Sequence, residues 1–223
     1  MSDMQSAALF YLGQGYSVIP LQPRDKRPSV KWESYQRNRA SLEEARLWWE
    51  KWPDANVGIV CGVVSGLAVV DIDPRHGGAD SLDELVSGGF PWPETPTART
   101  GGGGTHYYFR ISGQVPSAPG VVSGVDLKAE GGYVVAPPSV HPSGGLYEWL
   151  LPLGEVPLAP LPGGLPQRGK SKPSNGGPLL LTPEIRNNGL VKIAGSLRRW
   201  GVGPEAIEAA LLAINLHHCH PPL

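Results

Sequence analysis

The sequence has few cysteines, no long apolar run and no leader-like start, and each absence excludes a class of protein. Cys61 and Cys219 are the two cysteines among 223 residues, which rules out a disulfide framework and a four-cysteine zinc site. Cys61, at a glycine-rich strand end, is interpreted as a small buried hydrophobe. No apolar run approaches the roughly 18 residues of a membrane span, and no signal-peptide pattern is present. We therefore expect a soluble, cytoplasmic protein with no membrane partner.

A strong charge of one sign is also absent, since the formal net charge is −1. Residues 1–150 carry 12 Lys and Arg against 16 Asp and Glu, whereas residues 151–223 carry 7 against 4. This balance argues against a strongly basic protein that coats nucleic acid. It allows an acidic catalytic module joined to a basic binding module.

Glycine and proline are abundant, with 30 and 24 residues. They are interleaved with apolar runs through most of the chain, which indicates a loop-rich globular protein rather than a disordered one. A Pro/Gly-rich stretch poor in apolar residues is typical of a linker. We predict a catalytic domain over residues 1–152, a linker over 153–180 and a small helical domain over 181–223.

Helices and strands alternate in the predicted catalytic domain, so the class is α/β or α+β. Ser2 and Ser41 each begin a capping box, which predicts one helix to about Gln14 and a second through Trp52, ended by Pro53. Trp49 of the second helix is assigned to the core. A third helix is predicted over 79–86, and a Pro-rich loop precedes Gly101. The predicted strands are 16–19 (closed by Pro20), 57–60, 67–72, 106–111, 125–127, 133–135 and an edge strand at 147–149. The strand at 67–72 is apolar on both faces until its acids, which is typical of a central strand.

Two helices are predicted beyond the linker. Thr182-Pro183 is a helix start with proline at the first helical position, and Pro204 begins the second helix. The apolar face predicted for the first helix is Leu190, Ile193, Ala194 and Leu197, and that of the second is Ile207, Ala210, Leu211 and Ile214.

Two acids end the central strand. Asp71 and Asp73 are two residues apart, so both side chains lie on one face of a strand. Hard cations relieve the repulsion between two such carboxylates, and oxygen ligands suit Mg²⁺ or Mn²⁺. The residues equally allow a strand end that enters a polar turn, because Asp73-Pro74 is favourable turn chemistry.

Four glycines, Gly101–Gly104, precede Thr105 and His106. Glycines let the backbone approach a ligand closely, and successive N–H groups can cradle a phosphate. His106 would then donate to a triphosphate. The run is not a Walker loop, because it lacks Gly-Lys-Ser/Thr. Taken alone, it favours an ordinary hairpin turn with a surface histidine.

Asp126 and Lys128 share one face of a predicted strand, which alone favours an exposed alternating strand. His217, His218 and Cys219 are adjacent on a predicted helix and point in different directions, which argues against zinc there.

Together these signals are more specific than each is alone. Three acids on two strands, a histidine after a glycine loop and a basic residue suit two-metal nucleotidyl transfer. In that chemistry two cations held by Asp71, Asp73 and Asp126 bind a triphosphate, lower the pKa of a 3′-hydroxyl and stabilise the charge on the pyrophosphate.

The order of Asp71-Ile72-Asp73, Gly104-Thr105-His106 and Val125-Asp126 resembles the archaeo-eukaryotic primase superfamily. Flanking stretches such as Asn56–Val60 and Gly131–Ser139 are similar to its bifunctional primase/polymerase (prim-pol) branch of plasmids, phages and mobile elements. The likeness spans about residues 5–150. It implies a module whose catalytic half is a sheet related to the RNA-recognition motif.

The resemblance implies roles for individual residues. Asp71, Asp73 and Asp126 would bind two catalytic ions, Mg²⁺ or Mn²⁺, and His106 would contact the phosphates of the incoming nucleotide. No structural zinc is expected, because the cysteines for a zinc-binding stem are absent. The residues expected beside the nucleotide are His106, Lys128, Gly102, Gly103, Gly104, Thr105 and Ser139.

The tail resembles the helical domain that follows prim-pol modules, through stretches such as Arg186-Asn187-Asn188, Leu197-Arg198 and Pro221-Pro222-Leu223. In that family the domain assists primer initiation, and a helicase module often follows. We expect the chain to be a fragment of a longer replication protein. The residues expected to track the template backbone are Arg186, Lys192, Arg198 and Arg199.

Three functions stay open. The favoured one is a template-dependent primase/polymerase that makes and extends primers on single-stranded DNA from dNTPs or NTPs. The second is another metal-dependent nucleotidyl or glycosyl transferase, which would use Asp71 and Asp73 but would need neither His106, Asp126 nor DNA. The third is a non-catalytic nucleic-acid-binding module. The ordered motif set, rather than fold class, favours the first.

Overall fold

The computed structural model describes residues 2–165 and 202–218, and between these ranges residues 190, 193, 194, 197 and 198. The chain divides into two compact units, Met1–Lys170 and Ser171–Leu223. The division falls within the segment predicted as a linker. The domain boundaries at residues 152 and 181 stay a prediction.

Three helices and nine strands build the described part of the first unit. The helices are α1 (Asp3–Gly13), α2 (Leu42–Lys51) and α3 (Gly78–Ser87), and short 3₁₀ turns lie at Glu33–Gln36 and Pro74–His76. The strands are β1 (Ser17–Leu21), β2 (Asn56–Val60), β3 (Leu67–Ile72), β4 (Thr97–Arg99), β5 (Thr105–Arg110), β6 (Ala118–Val122), β7 (Val125–Lys128), β8 (Tyr133–Ala136) and β9 (Glu148–Leu151).

The strands form two antiparallel sheets. One has the order β1-β2-β8 and the other the order β6-β7-β3-β5-β4-β9. All strand pairs described in these sheets are antiparallel. The fold is therefore mixed α+β, which confirms the predicted class.

The first two helices begin where the sequence predicts. Ser2 Oγ accepts a hydrogen bond from the N–H of Gln5 at 3.2 Å, and Ser41 Oγ accepts one from the N–H of Glu44 at 3.1 Å. Trp49 of α2 is buried, which confirms its assignment to the core.

Strand β3 is buried on both faces, as predicted for a central strand. Leu67 and Val69 pack into a core that also contains residues of α1, α2 and the three-stranded sheet. Ala68 and Val70 pack into a second core on the opposite face, against which Leu82 of α3 lies. The two cores hold β3 between two covered faces, which fixes its orientation.

Two sequence predictions about strands are wrong. Pro20 does not close β1, because β1 is an edge strand and the missing N–H of Pro20 is not needed for pairing with β2. The carbonyl of Pro20 accepts the N–H of Ser29 at 2.8 Å on the outer side. Residues 97–99, predicted within a Pro-rich loop, form β4 because β5 and β9 pair with them on either side. Three residues are too few to show strand alternation.

The second unit contains α4 (Pro204–His218), which begins at the predicted proline. Residues 190, 193, 194, 197, 207, 210, 211 and 214, predicted as apolar helix faces, are all half-buried. Leu190, Ala194, Ile207 and Leu211 line an apolar groove within this unit. The helix start predicted at Thr182-Pro183 lies outside the described residues. Among the helices that the structure describes, none has the length and apolar character to cross a bilayer.

Cys61 offers a test of the first core. Its side chain is 1% exposed, and burial raises the pKa of its thiol to about 12. Because the thiolate is the reacting form, we expect Cys61 in a Cys219→Ser protein to react with a disulfide reagent only as fast as the protein opens. Thiol labelling in native buffer and in denaturant measures this. Fast native labelling that disappears in Cys61→Ser/Cys219→Ser would contradict the packing.

Candidate active site

Three polar residues lie directly opposite one another on neighbouring strands. Asp71 of β3 pairs with Asp126 of β7 on one side and with His106 of β5 on the other. Opposite residues of an antiparallel pair project to the same face. Asp126, Asp71 and His106 therefore form a transverse line across three strands, which we call the acid–histidine row.

Asp71 and His106 open into a cavity of about 340 Å³. Lys128 lines it from the six-stranded sheet, and Tyr133–Val135 of β8 line it from the three-stranded sheet. The cavity therefore lies where the two sheets face each other at one end. A smaller cavity of about 50 Å³ shares Asp71 and His106 and is also lined by Asp73.

His106 is buried beside Asp71, with its Nε2 3.5 Å from Asp71 Oδ1. Burial lowers the pKa of His106, Asp71 partly opposes this, and Lys26 and Lys128 lower it further. The imidazole is therefore neutral near neutral pH. Its Nδ1 is buried without a hydrogen-bond partner, so we assign the proton to Nε2, because an unpaired buried N–H is costlier than an unpaired acceptor. The Nε2–H then points toward Asp71.

Asp73 follows β3 and caps the 3₁₀ turn Pro74–His76. Its Oδ1 accepts hydrogen bonds from the backbone N–H and Nε of Arg75, at 3.0 and 3.1 Å, and its Oδ2 lies 2.8 Å from His76 Nδ1. Hydrogen bonds from Arg75 hold the pKa of Asp73 well below its usual range, despite the opposing effect of burial. The polar turn that the sequence allowed is present, and the ionised carboxylate also lines the smaller cavity.

Asp126 is balanced by a cation of the protein. Its Oδ2 accepts a hydrogen bond from Lys128 Nζ at 2.8 Å, and its Oδ1 accepts one from the N–H of Gly120 at 2.6 Å. Burial raises the pKa of Asp126, but these hydrogen bonds outweigh it and the net pKa is lowered. Within the described part of the chain, no three Asp, Glu, His or Cys side chains stand grouped for a metal ion.

The glycine run forms the turn between β4 and β5, as the hairpin interpretation predicts. The surface histidine of that interpretation is wrong, because His106 is buried on β5. The N–H of Gly103 donates to the carbonyl of Thr100 at 3.0 Å, and the N–H of Gly104 donates to its Oγ1 at 2.9 Å. The N–H groups of Gly101 and Gly102 make no hydrogen bond to any described residue. Gly102 and Gly104 line the smaller cavity, so the turn lies at the site.

Close backbone packing requires two of these glycines. A Cβ on Gly101 would lie 2.3 Å from the carbonyl oxygen of Gly145, and a Cβ on Gly104 would lie 2.4 Å from that of Ile72. Real side chains do not approach so closely, so no larger residue fits without a shift of the backbone. The turn thereby holds the end of β3, where Asp71 lies, against the start of β5.

Three residues predicted beside the nucleotide, Gly103, Thr105 and Ser139, line neither cavity. Thr105 lies opposite Ile72, on the face of β5 away from His106. Ser139 is fully buried, and its hydroxyl accepts from the N–H of Val57 at 2.9 Å and donates to its carbonyl at 3.4 Å. The prediction for Ser139 is at odds with this position, because its hydroxyl is committed to β2 inside the core.

The predicted DNA-binding residues belong to the second unit. Arg198 is exposed. Arg186, Lys192 and Arg199 lie outside the described residues, and their role stays a prediction.

The sequence did not point to several residues that line the cavities, among them Lys26, Arg75, His141 and Tyr147. Lys26 lines both, and its side chain makes no ion pair within the described residues. Its carbonyl accepts a hydrogen bond from Tyr133 Oη at 3.0 Å, which ties its loop to β8. This contact joins residues 107 positions apart, so no local pattern reveals it. The signals in the sequence are the irregular, basic character of residues 20–40 and the place of Lys26, with Pro28, among the stretches that resemble prim-pol proteins.

The glycine turn generates a stability prediction. We expect Gly104→Ala to lower the free energy of unfolding by about 1–3 kcal/mol, because the added methyl group meets the Ile72 carbonyl. Gly113→Ala is the matched control, since a Cβ there meets no atom within 4 Å, and we expect a change of at most about 0.5 kcal/mol. Urea unfolding compares the two. Equal stability of both variants would contradict the packing described.

A family model described as "bifunctional DNA primase/polymerase, N-terminal" matches residues 8–164. No match is found among curated proteins. The matched region includes the whole acid–histidine row and the cavities beside it. It ends before the helices of the second unit, whose resemblance to a primase helical domain stays a prediction. Since the match covers well over half of the chain, the chain belongs to the bifunctional DNA primase/polymerase family.

Proposed function

We propose that the chain is a template-dependent DNA primase/polymerase, which joins nucleoside triphosphates into a primer and extends it along single-stranded DNA. The acid–histidine row carries the proposal, because strand register sets Asp126, Asp71 and His106 side by side. Asp73 follows at the same end of β3. Membership of the primase/polymerase family supports nucleotidyl transfer as the chemistry.

The donor chemistry of the acidic residues suits a hard divalent cation, although the described structure does not group three of them around one position. Asp71, Asp73 and Asp126 offer carboxylate oxygens, which Mg²⁺ and Mn²⁺ prefer, and the pKa values of Asp73 and Asp126 are held low, so both stay ionised. When bound, two such ions would lower the pKa of an attacking 3′-hydroxyl and stabilise the charge on the departing pyrophosphate.

The charges around the site favour a nucleotide that arrives with its cations. Three carboxylates are accompanied by three cations, Lys26, Arg75 and Lys128, so these six groups carry no net charge. A bare triphosphate gains little net attraction from such a set. In the proposed complex Arg75 and Lys128 exchange their carboxylate partners for phosphate oxygens. Lys26 already has no anionic partner among the described residues and needs no such exchange.

His106 and the glycine turn supply hydrogen bonds without adding charge. Asp71 Oδ1 lies 3.5 Å from Nε2, so in the proposed complex the Nε2–H of the neutral, buried imidazole is available to a phosphate oxygen instead, and burial strengthens that bond. The N–H groups of Gly101 and Gly102 are further donors, since neither is used within the described structure.

A transferase that uses only Asp71 and Asp73 is the second candidate. It would need neither Asp126 nor His106, and DNA would not stimulate it. The strand register that sets both residues beside Asp71 favours nucleotidyl transfer to a nucleic-acid end. A non-catalytic binding module would have no need of the complete set of acids.

We propose that residues 181–223 bind the template strand and so assist the start of primer synthesis. Arg186, Lys192, Arg198 and Arg199 would contact template phosphates. A replicative helicase module, fused or separate, is the proposed partner, and the proposed location is the cytoplasm.

The row generates an activity prediction. We expect Asp71→Asn and Asp126→Asn each to reduce primer synthesis and extension by at least about 10³-fold, because each loses a proposed metal ligand. Asp54→Asn, which alters an exposed acid outside the site, should match the unaltered protein.

Labelled nucleotide incorporation, with Mg²⁺ or Mn²⁺, on unprimed and primed single-stranded DNA measures both activities. Full activity of Asp126→Asn together with loss in Asp71→Asn would instead support the transferase that needs only Asp71 and Asp73. Absence of products from the unaltered protein in both assays would reject the proposed function.

Lys26 generates a second prediction. We expect Lys26→Ala to raise the apparent KM for the nucleotide about 10- to 100-fold, because a charge-assisted hydrogen bond to phosphate contributes about 1.5–3 kcal/mol. Lys51→Ala, at the exposed end of α2, is the control and should leave KM unchanged. A loss in kcat alone, with KM for the nucleotide unaltered, would assign Lys26 a different role.

A further inference from the structure

A larger cavity of about 1010 Å³ lies beside the proposed active site. It meets the 340 Å³ cavity that holds Asp71 and His106 at Gly131, which lines both. We call it the arginine groove; its lining is Gln36, Arg37, Asn38, Arg39, Val63, Val64, Gln114, Glu130 and Gly131. Gly131 is exposed, so the two cavities adjoin at the protein surface, and a chain-like ligand that crosses Gly131 would contact both.

The two arginines of the groove hold charge that no acidic side chain in the described part of the chain neutralises. Arg37 and Arg39 are exposed, and neither forms an ion pair with a described residue. Arg39 Nη1 donates to the carbonyl of Gly15 at 2.7 Å, which orients its guanidinium. Its other N–H donors stay available.

The acid of the groove does not cancel both arginines. Glu130 Oε1 accepts a hydrogen bond from the backbone N–H of Val63 at 2.7 Å, so this carboxylate is held against the loop between β2 and β3. Two arginines against one tethered acid leave the groove with a net positive charge. That sign stands out, because residues 1–150 carry 12 basic against 16 acidic residues.

The remaining lining suits a phosphodiester backbone. Gln36, Asn38 and Gln114 offer amide donors and acceptors that can follow either phosphate or sugar oxygens. A guanidinium group can donate two parallel hydrogen bonds to the oxygens of one phosphate. Such contacts contribute affinity that does not depend on the nucleotide sequence. A groove of this composition, which adjoins the cavity of Asp71 and His106 at Gly131, fits a linear polyanion better than a compact ligand.

We propose that the arginine groove holds the sugar–phosphate backbone of single-stranded DNA as it leads into the active site. The catalytic unit would then bind nucleic acid itself, separately from the basic residues of the tail. This inference rests on the proposed function, because it takes the groove's ligand to be the nucleic acid on which the row acts.

Binding of a labelled oligo-dT to the full chain, without nucleotide or metal, tests the groove independently of catalysis. We expect Arg37→Gln/Arg39→Gln to weaken binding at least about 10-fold and to make the slope of log K against log salt shallower by about 1.4, or about 0.7 per lost phosphate contact. Arg46→Gln/Arg110→Gln is the matched control, since it removes the same charge from two exposed arginines outside the groove. Equal losses in both double variants would overturn the inference.

Photocrosslinking gives a positional readout that the tail does not mask. A benzophenone amino acid in place of Gln114, within the groove, should crosslink to the oligonucleotide, whereas one in place of Glu50, on the exposed side of α2, should not. No crosslink at position 114, or equal crosslinking at both, would overturn the inference. If Asp71→Asn keeps full activity while these DNA-binding results hold, the proposed function is wrong but the groove remains a site for single-stranded DNA.

Discussion

The register of β3 between β5 and β7 is the constraint on which the site depends. Side chains alternate along a strand, so a slip of one residue would turn Asp71 to the opposite face and separate it from His106 and Asp126. Apolar residues on both faces of β3 prevent this slip. Leu67 and Val69 belong to one core and Ala68 and Val70 to another, and a slip would exchange the two sets.

Charge compensation is the second condition of the site. Asp73 and Asp126 keep low pKa values because Arg75 and Lys128 hydrogen-bond to them, so carboxylates can stay ionised at the edge of a hydrophobic core. His106 is uncharged instead, because burial lowers the pKa of its imidazole. The fold therefore maintains an ionised acidic pair and an uncharged hydrogen-bond donor within one small region, which suits the recognition of a metal-bound polyphosphate.

Much of this arrangement could be predicted from local pattern. The serine caps of α1 and α2 satisfy N–H groups within the same turn, so the sequence alone indicates where both helices begin. The two-sided apolar run of β3 indicates a central strand. Strand β4 and the continuation of β1 through Pro20 could not be predicted, because each depends on which strands lie alongside. Pairing partners are distant in sequence, whereas propensity and alternation are local.

The sequence by itself determined the residue types of the site and their spacing: two acids at the end of a buried strand, a histidine after a glycine run, and a third acid on a later strand. Only the tertiary structure decided which residues lie next to one another in the site. Strand pairing brought Asp126, Asp71 and His106 into one row. The loop that contains Lys26 places this residue in the lining of the same cavity. The same packing enclosed Ser139 in the core. The physical reason is that alternation fixes the face on which a side chain lies, whereas long-range packing fixes what that face meets.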